Sequence, residues 1–539
     1  MKYSINHYLL LFGLTLLVCI GCSSRAFRFS DSPPITDAGD NSPIPSPESN
    51  EYEEFYYYFN NLVRRPIVHS LDLSRIPRSA DVNSMDNVPK SSWFTPRLGY
   101  RDITPEELLH GVEKKGAPES PYTVVGGKLG GTNPGFIVKD SRGIRYIVKF
   151  DPPKFPAIQT TTNLIVNRLF WGFGYNVPED YLVFFKSEEL KINPESGLTQ
   201  KDLESVLSYV AEPVGGFYRS TFSMFIPGKI IGPTVESGTR SDDPNDRIAH
   251  QDRRVLRALR VFGAFTNHSD IRIDNTLDVF IGENDEGYIK HYMLDFGEAF
   301  GGHGAEHDWL WDGHEHYFNF GQMFKNLATF GIIDENWEEV GYTGWESVGA
   351  FESTIFNPES WRETYQFLPV RLALPDDDYW AAKILGALKE DHLRTLVKAA
   401  KYPDPEAEEY IIATLMQRKE KIIEYCMSRV APVELRSLED GRMVLEDFER
   451  ALSQNEDNRY KYVIKFYNDN GKVISPEFKI ADADIVFTVP VSVKSLVEVE
   501  GYLRIDVRRY NKNNDMTPPA QFHIRELSDK NIGVVGIVH

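Results

Sequence analysis

Residues 259–297 read LRVFGAFTNHSDIRIDNTLDVFIGENDEGYIKHYMLDFG, and the order of signals within them decides the fold. Upstream and into it, apolar residues recur at helical spacing: Leu256, Leu259, Phe262 and Phe265. A polar loop follows, His268-Ser269-Asp270, then four residues, then Asn275. Residues 276–281 and 288–294 read as arms of a hairpin around Glu-Asn-Asp-Glu-Gly, and Asp295-Phe296-Gly297 closes it.

This order resembles the catalytic core of protein kinases. That family carries His-Arg-Asp, four residues and Asn, then a metal-binding Asp-Phe-Gly one hairpin later. Here the spacing from Asp270 to Asn275 matches and Asp-Phe-Gly is intact, while Ser269 stands where the family has Arg. The connecting hairpin is longer than in most of the family. Phosphoryl transfer needs positioning and charge neutralisation more than covalent help. The resemblance implies Asp270 as the catalytic base and Asn275 and Asp295 as ligands that hold Mg2+ against the phosphates of ATP. Read without it, the stretch is an Asn/Asp-rich loop and turn.

Working outward, residues 122–150 read as strands around a glycine-rich turn that contains Gly126, Gly127, Gly130 and Gly131. Glycines let backbone N–H groups approach phosphate oxygens. The resemblance implies that this loop covers the nucleotide, although the spacing is not G-x-G-x-x-G. Lys149 lies in Tyr-Ile-Val-Lys-Phe, where the family has its Val-Ala-Ile-Lys. A lysine among β-branched residues is costly to bury unpaired. Its implied role is contact with the α- and β-phosphates; the plain alternative is an edge-strand lysine facing water. In the family that lysine pairs with a helix Glu, yet the next helix, about 158–172, holds no Asp or Glu. Lys149 then pairs with nucleotide alone or with an acid from elsewhere. No Ala-Pro-Glu follows, so the resemblance covers about residues 126–297 and points to divergent kinase-like families of the HipA-type and secretory-pathway kinds.

The expected fold class is α+β: a two-lobed kinase-like fold with a C-terminal β-sandwich-like domain. Residues 1–21 read as a lipoprotein signal peptide, with one Lys and an apolar run from 9 to 20. Gly21-Cys22-Ser23 resembles a bacterial lipoprotein cleavage box, which implies lipidated Cys22, a membrane partner through that anchor, and a bacterial cell envelope location, with Ser23 permitting outer-membrane sorting. An ordinary secretory signal or uncleaved anchor is the alternative. Residues 22–54, rich in Pro and Ser, read as a disordered tether with roughly 30 Å of typical reach. An N-terminal extension (55–121), opened by an aromatic helix that docks on the body, the kinase-like domain (122–430) and a small β domain (431–539) complete the division.

The composition is acidic, with 59 Lys and Arg against 79 Asp and Glu for a net charge of −20, which argues against nucleic acid as a partner. The nucleotide and an unspecified protein, glycan or small-molecule acceptor remain. Of three cysteines, only Cys426 lies in the body, so no disulfide is available to it. A helix is expected over 242–265, capped by Asp246, with Arg253, Arg254, Arg257 and Arg260 on a solvated face, a substrate or phosphate patch being the alternative. Residues 222–231 read as a strand pair. Helices are expected over 379–388, 392–400 and 405–427, and short strands with an Asn-Asp-Asn-Gly turn at 468–471 fill the C-terminal region.

Two further readings stand beside the phosphotransferase. The acid-free helix and the export signal suit a kinase fold kept as a catalytically inactive binding or scaffolding lipoprotein. His303, His307, His314 and His316, interleaved with Glu306, Asp308, Asp312 and Glu315, suit a substrate-contacting loop or a metal-dependent hydrolase, but without compact ligand spacing.

Overall fold

The computed structural model describes residues 29, 33–49, 54–70, 75–128, 133–283, 286–303, 310–333, 335–453, 460–475, 477–480, 485–490, 501–511, 513–527 and 532–539. Cys22, the signal peptide, Gly130, Gly131, Glu306, His307 and Asp308 lie outside these residues. The chain divides into two units, a larger one of residues 36–83 and 87–429 and a smaller one built on 430–539 with 84–86. Mixed helix and sheet make the fold α+β.

In the larger unit, β1 (Ile44–Pro45) and α1 (Glu54–Phe59) precede α2 (Pro105–His110). The small lobe follows as β2 (Tyr122–Gly127), β3 (Gly135–Lys139), β4 (Arg145–Phe150), α3 (Ile158–Gly172), β5 (Asp180–Phe185), β6 (Leu190–Ile192) and β7 (Tyr218–Met224). Its six strands run in the order β5-β7-β4-β3-β2-β6. Alternation along β4 sends Tyr146, Val148 and Phe150 into a core with Tyr122, Phe136, Phe185 and Phe222. Every residue of α3 is buried, which explains its lack of acids: an ionised side chain there would need a partner to offset desolvation. Asp151 instead starts the helix, accepting from the backbone N–H of Gln159 and of Thr160, both at 2.9 Å.

Residues 225–228 carry the chain out of this sheet, so the expected 222–231 strand pair is two strands in two sheets. The second sheet has the order β1-β10-β9-β8, with β8 (Lys229–Gly232), β9 (Thr276–Glu283) and β10 (Glu286–Met293). Gly228 at φ +127° is needed there, because a Cβ would sit 2.5 Å from the Phe280 carbonyl oxygen.

β1 corrects the expected tether. Ile44 and Pro45 pair with Gly287 and Glu286, and the Asp40 carboxylate accepts from the N–H and hydroxyl of Ser92 at 2.9 and 2.7 Å. Composition predicts disorder when a segment must order itself, but here backbone ladder bonds supplied by β10 do the ordering.

The expected helix over 242–265 is also corrected. It breaks at Ala258 into a turn of 254–257 and α4 (Leu259–Thr266), and Asp246 caps no helix but takes the side chains of His250 and Arg253 at 2.8 and 2.7 Å. The arginines are not a solvated face. Arg254 and Arg257 are wholly buried, and Arg254 binds Asp376 and Asp377, each at 3.1 Å. Those acids open α5 (Pro375–Gly386), which with α6 (Glu390–Ala400) and α7 (Pro405–Ser428) forms the helical body of the large lobe. The three consecutive carboxylates of Asp376, Asp377 and Asp378 also suit the positive end of the α5 dipole.

In the smaller unit, β11 (Val433–Glu439), β12 (Arg442–Asp447), β13 (Tyr462–Asn468), β14 (Phe478–Ile480), β15 (Ile485–Thr488), β16 (Leu503–Arg509), β17 (Ala520–Glu526) and β18 (Ile532–Val538) form two sheets, β11-β12-β15 and β14-β13-β16-β17-β18. One apolar core with Val433, Leu445, Ile464, Ile505 and Phe522 lies between them, the layering of a small sandwich. The Asn468–Gly471 turn closes through Gly471 N–H on the Asn468 carbonyl at 2.9 Å, with Gly471 at φ +73°.

Candidate active site

β4 is an inner strand, paired with β3 and β7, so Lys149 is not an edge lysine. Its side chain leaves the sheet toward the large lobe, and its Nζ donates to Asp295 Oδ1 at 2.6 Å. The acid that sequence could not supply is therefore the Asp of Asp-Phe-Gly, 146 residues away. Burial pulls the Lys149 ammonium down, but Asp295 outweighs it and holds it above its ordinary value. Burial raises Asp295 in turn, and Lys149 with Lys128 overcomes that and holds it low.

Asp295 has φ +55°, a conformation that Asp tolerates better than most residues but still at a cost. What holds it is the packing after it. Phe296 is wholly buried, with its ring 5.0 Å from Phe170 of α3 and 5.8 Å from the His268 imidazole. His268 donates from Nδ1 to the Glu298 carbonyl at 2.9 Å, and burial keeps its imidazole neutral. The His of the loop thus fixes the residue just past Asp-Phe-Gly.

Asp270 and Asn275 face each other within their loop. The Asn275 Nδ2 donates to Asp270 Oδ2 at 2.7 Å and to the Asp270 carbonyl at 2.8 Å. Both amide hydrogens are engaged, which leaves the Asn275 amide oxygen as its available ligand atom. The Leu294 N–H donates to the Asn275 carbonyl at 2.8 Å, and Thr276 pairs with Met293. That register sets Asn275 beside the strand end from which Asp295 projects. Burial above all raises Asp270, against the pull of Arg272 and Asn275.

Arg272, Glu298 and Asp180 carry the site further than sequence reasoning did. Arg272 Nε lies 3.1 Å from Asp270 Oδ1, a cation beside the carboxylate. A cation two residues from the loop acid was visible in the sequence as the signal for it. Glu298 is pushed up to about 7 by burial, Asp270 and Asp295, against the pull of His303. Asp180, on β5, is buried and accepts from Asn163 Nδ2 of α3 at 2.7 Å and Asn167 Nδ2 at 3.3 Å. Its charge acts on Lys149. Asp180 is a buried acid on the strand after α3, held by two amides of that helix.

The glycine-rich segment reaches the same place. Gly126 and Gly127 end β2, and a Cβ on Gly127 would meet nothing within 4 Å. Gly135 is the glycine that packing requires, since its Cβ would lie 2.1 Å from the Val148 carbonyl oxygen, opposite Lys149 in the β3–β4 register. Lys128 donates to the Asn133 carbonyl at 2.8 Å and is lowered to about 8 by burial and Lys149. Asn133 bonds Gln159 of α3.

The aromatic helix α1 docks on the loop that carries Asp270 and Asn275. Tyr58 donates to Asp274 Oδ2 at 3.2 Å and accepts from Arg272 at 3.2 Å, and the Ile273 N–H points to the Tyr57 hydroxyl at 3.4 Å. Past Asp-Phe-Gly, His303 lies 3.5 Å from Asp312 and 3.7 Å from Glu298, while His316 bonds the Glu363 carbonyl at 2.7 Å. Among the described residues no three His, Cys, Asp or Glu side chains converge as a metal site.

No family profile and no curated protein matches the chain. Solved structures that are similar include the Golgi casein kinase with Mn/ADP bound, at 11% identity and a TM-score of 0.31 over 60% of this chain and 76% of that one. A Helicobacter pylori proinflammatory kinase, CtkA, is similar at 11% identity and a TM-score of 0.32 over 56% of this chain and 92% of that one. At such scores the functional reading stands on the side chains described above.

Proposed function

We propose that the cleft between the two lobes transfers a phosphoryl group from a Mg2+-bound nucleoside triphosphate, with ATP as the expected donor, to a hydroxyl of an acceptor. The observation that carries this reading is the meeting of Lys149 and Asp295 at 2.6 Å beside the Asp270–Asn275 pair. The donor set fits Mg2+: a carboxylate at Asp295 and an amide oxygen at Asn275 are hard ligands, and Mg2+ takes few of them and completes its shell from phosphates and water. Bound there, the cation supplies charge neutralisation on the transferring group.

The chain's own residues do the rest. Asp295 and Asn275 would hold the cation, Lys149 would contact the phosphates, and the Asp180 carboxylate would keep a negative charge near the lysine. Asp180 is thus a positioning residue in the place of a helix Glu. Asp270 accepts the proton of the acceptor hydroxyl. Arg272 orients Asp270 and offsets charge developing on the phosphoryl oxygens. Gly126 and Gly127, at the end of β2, would give backbone cover to the phosphates. Cys22 anchors the chain to a bacterial envelope membrane through lipid; radiolabelled palmitate incorporation lost in Cys22→Ala tests that. No helix of the described residues is long and apolar enough to cross a membrane.

The experiment is transfer of labelled γ-phosphate to protein, glycan and small-molecule acceptors. Transfer by the parent and its loss in Asp270→Ala and Asp295→Ala supports the reading. Equal signal in all three, or none in any, sinks it and leaves the inactive binding module.

A further inference from the structure

A cavity of about 320 Å3 lies in the larger unit, and none of Lys149, Asp270, Asn275 or Asp295 lines it. Its volume falls in the range of about 300–1,000 Å3 that small-molecule sites occupy. Residues 288, 290 and 292 share one face of β10, so strand alternation places Tyr288, Lys290 and Tyr292 together on its wall. Trp171 at the end of α3 and the 224–227 crossing complete a mostly apolar surface.

Four cations face this cavity: Arg97, Lys114, Lys115 and Lys290. Arg97 stacks on Trp171 at 4.5 Å and donates to the Trp171 and Tyr175 carbonyls at 2.7 and 3.1 Å, and among the described residues it makes no ion pair, Glu107 acting on it only through its charge. Lys290 Nζ lies 5.6 Å from the Tyr292 ring centroid, and among the described residues its ammonium, like those of Lys114 and Lys115, makes no hydrogen bond or ion pair. The one acid on the wall, Glu179, spends Oε2 on the N–H groups of Lys114 and Lys115 and on the Tyr181 hydroxyl. Burial, with Lys114, Arg97 and Lys90 nearby, lowers Lys290 to about 8, the behaviour of a cation that lacks its counter-charge.

We propose that this cavity binds a small organic anion, a phosphate or carboxylate carried on an aromatic or aliphatic body. The anion would sit among Lys290, Lys115 and Arg97, and the body against Trp171 and Tyr292. Neither half alone explains the site: a bare ion leaves the apolar wall unused, and a neutral apolar ligand leaves the cations unmatched.

The test is calorimetric titration of the full chain with 2-naphthyl phosphate, inorganic phosphate and 2-naphthol, on the parent and on Lys290→Met, Lys115→Glu and Lys149→Met. Expected is one saturable site for 2-naphthyl phosphate, at least tenfold tighter than either fragment. Lys290→Met and the surface change Lys115→Glu each weaken it at least fivefold, and Lys149→Met leaves it unchanged. The proposal is overturned by absence of binding, by 2-naphthol or phosphate binding equally well, by indifference to both Lys290→Met and Lys115→Glu, or by loss in Lys149→Met, which would place the ligand in the nucleotide cleft. Lys115 is exposed, so its variant reads the site even where Lys290→Met melts early.

Discussion

Replacing Glu298 with Gln should stabilise the nucleotide-free protein, and more so as pH rises. Glu298 sits among Asp270, Asp295 and His303, and burial with the two acids raises its pKa from 4.5 to about 7. The folded state therefore holds a proton that the unfolded chain loses above its ordinary value. Folding binds protons, so stability falls as pH climbs from about 4.5 to about 7, and it stays reduced above that. At 1.36 kcal/mol per pH unit the full loss is about 3 kcal/mol. A neutral amide of the same shape removes that loss. Glu298→Gln should gain little at pH 5 and about 3 kcal/mol at pH 8, roughly 5 °C in melting midpoint. His303 loses a partner in the variant but keeps Asp312 at 3.5 Å. Calorimetric melts of parent and variant at the two pH values decide it. A gain equal at both, or a loss at pH 8, would refute the claim that three carboxylates repel one another in this cleft.

Other expectations follow from the same geometry. Asp270→Asn keeps the Asn275 contact but removes the base, and the rate of phosphoryl transfer should fall about 10²–10⁴-fold with nucleotide affinity preserved, read from kcat and a nucleotide titration. Asp180→Asn should weaken Mg·ATP binding roughly tenfold, about 1.4 kcal/mol, without touching metal ligands; unchanged affinity means the strand acid does not serve Lys149. Arg254→Met leaves Asp376 and Asp377 short of a buried partner and should cost about 3–5 kcal/mol in denaturant unfolding, against under 1 for a solvated arginine.

The loop and hairpin were legible because their signals lie close in sequence: Asp270, Asn275 and Asp295 belong to one local unit whose register follows from the chain itself. Lys149 was legible as a costly residue on a β-branched strand, but its partner was not, since Asp295 lies 146 residues away and meets it only through the tertiary fold. Asp180 escaped notice for a related reason. Its place on a strand gives no hint that Asn163 and Asn167 of α3 hold it or that its charge acts on Lys149. Arg254 and Arg257 look like a solvated face until Asp376–Asp378, more than a hundred residues on, arrive beneath them. β1 is two residues long, too short for any periodicity, and its order comes wholly from β10.

The most direct test of the account is a thermal or calorimetric unfolding titration with Mg·ATP on the parent and on Asp295→Ala. A site that binds only the folded state should stabilise the parent by about 2.7 kcal/mol at a hundred times Kd. That shift should need Mg2+ and vanish in the variant. A parent that shows no shift at saturating nucleotide and Mg2+, or a variant that shifts as much as the parent, would contradict a nucleotide cleft built on Lys149, Asn275 and Asp295.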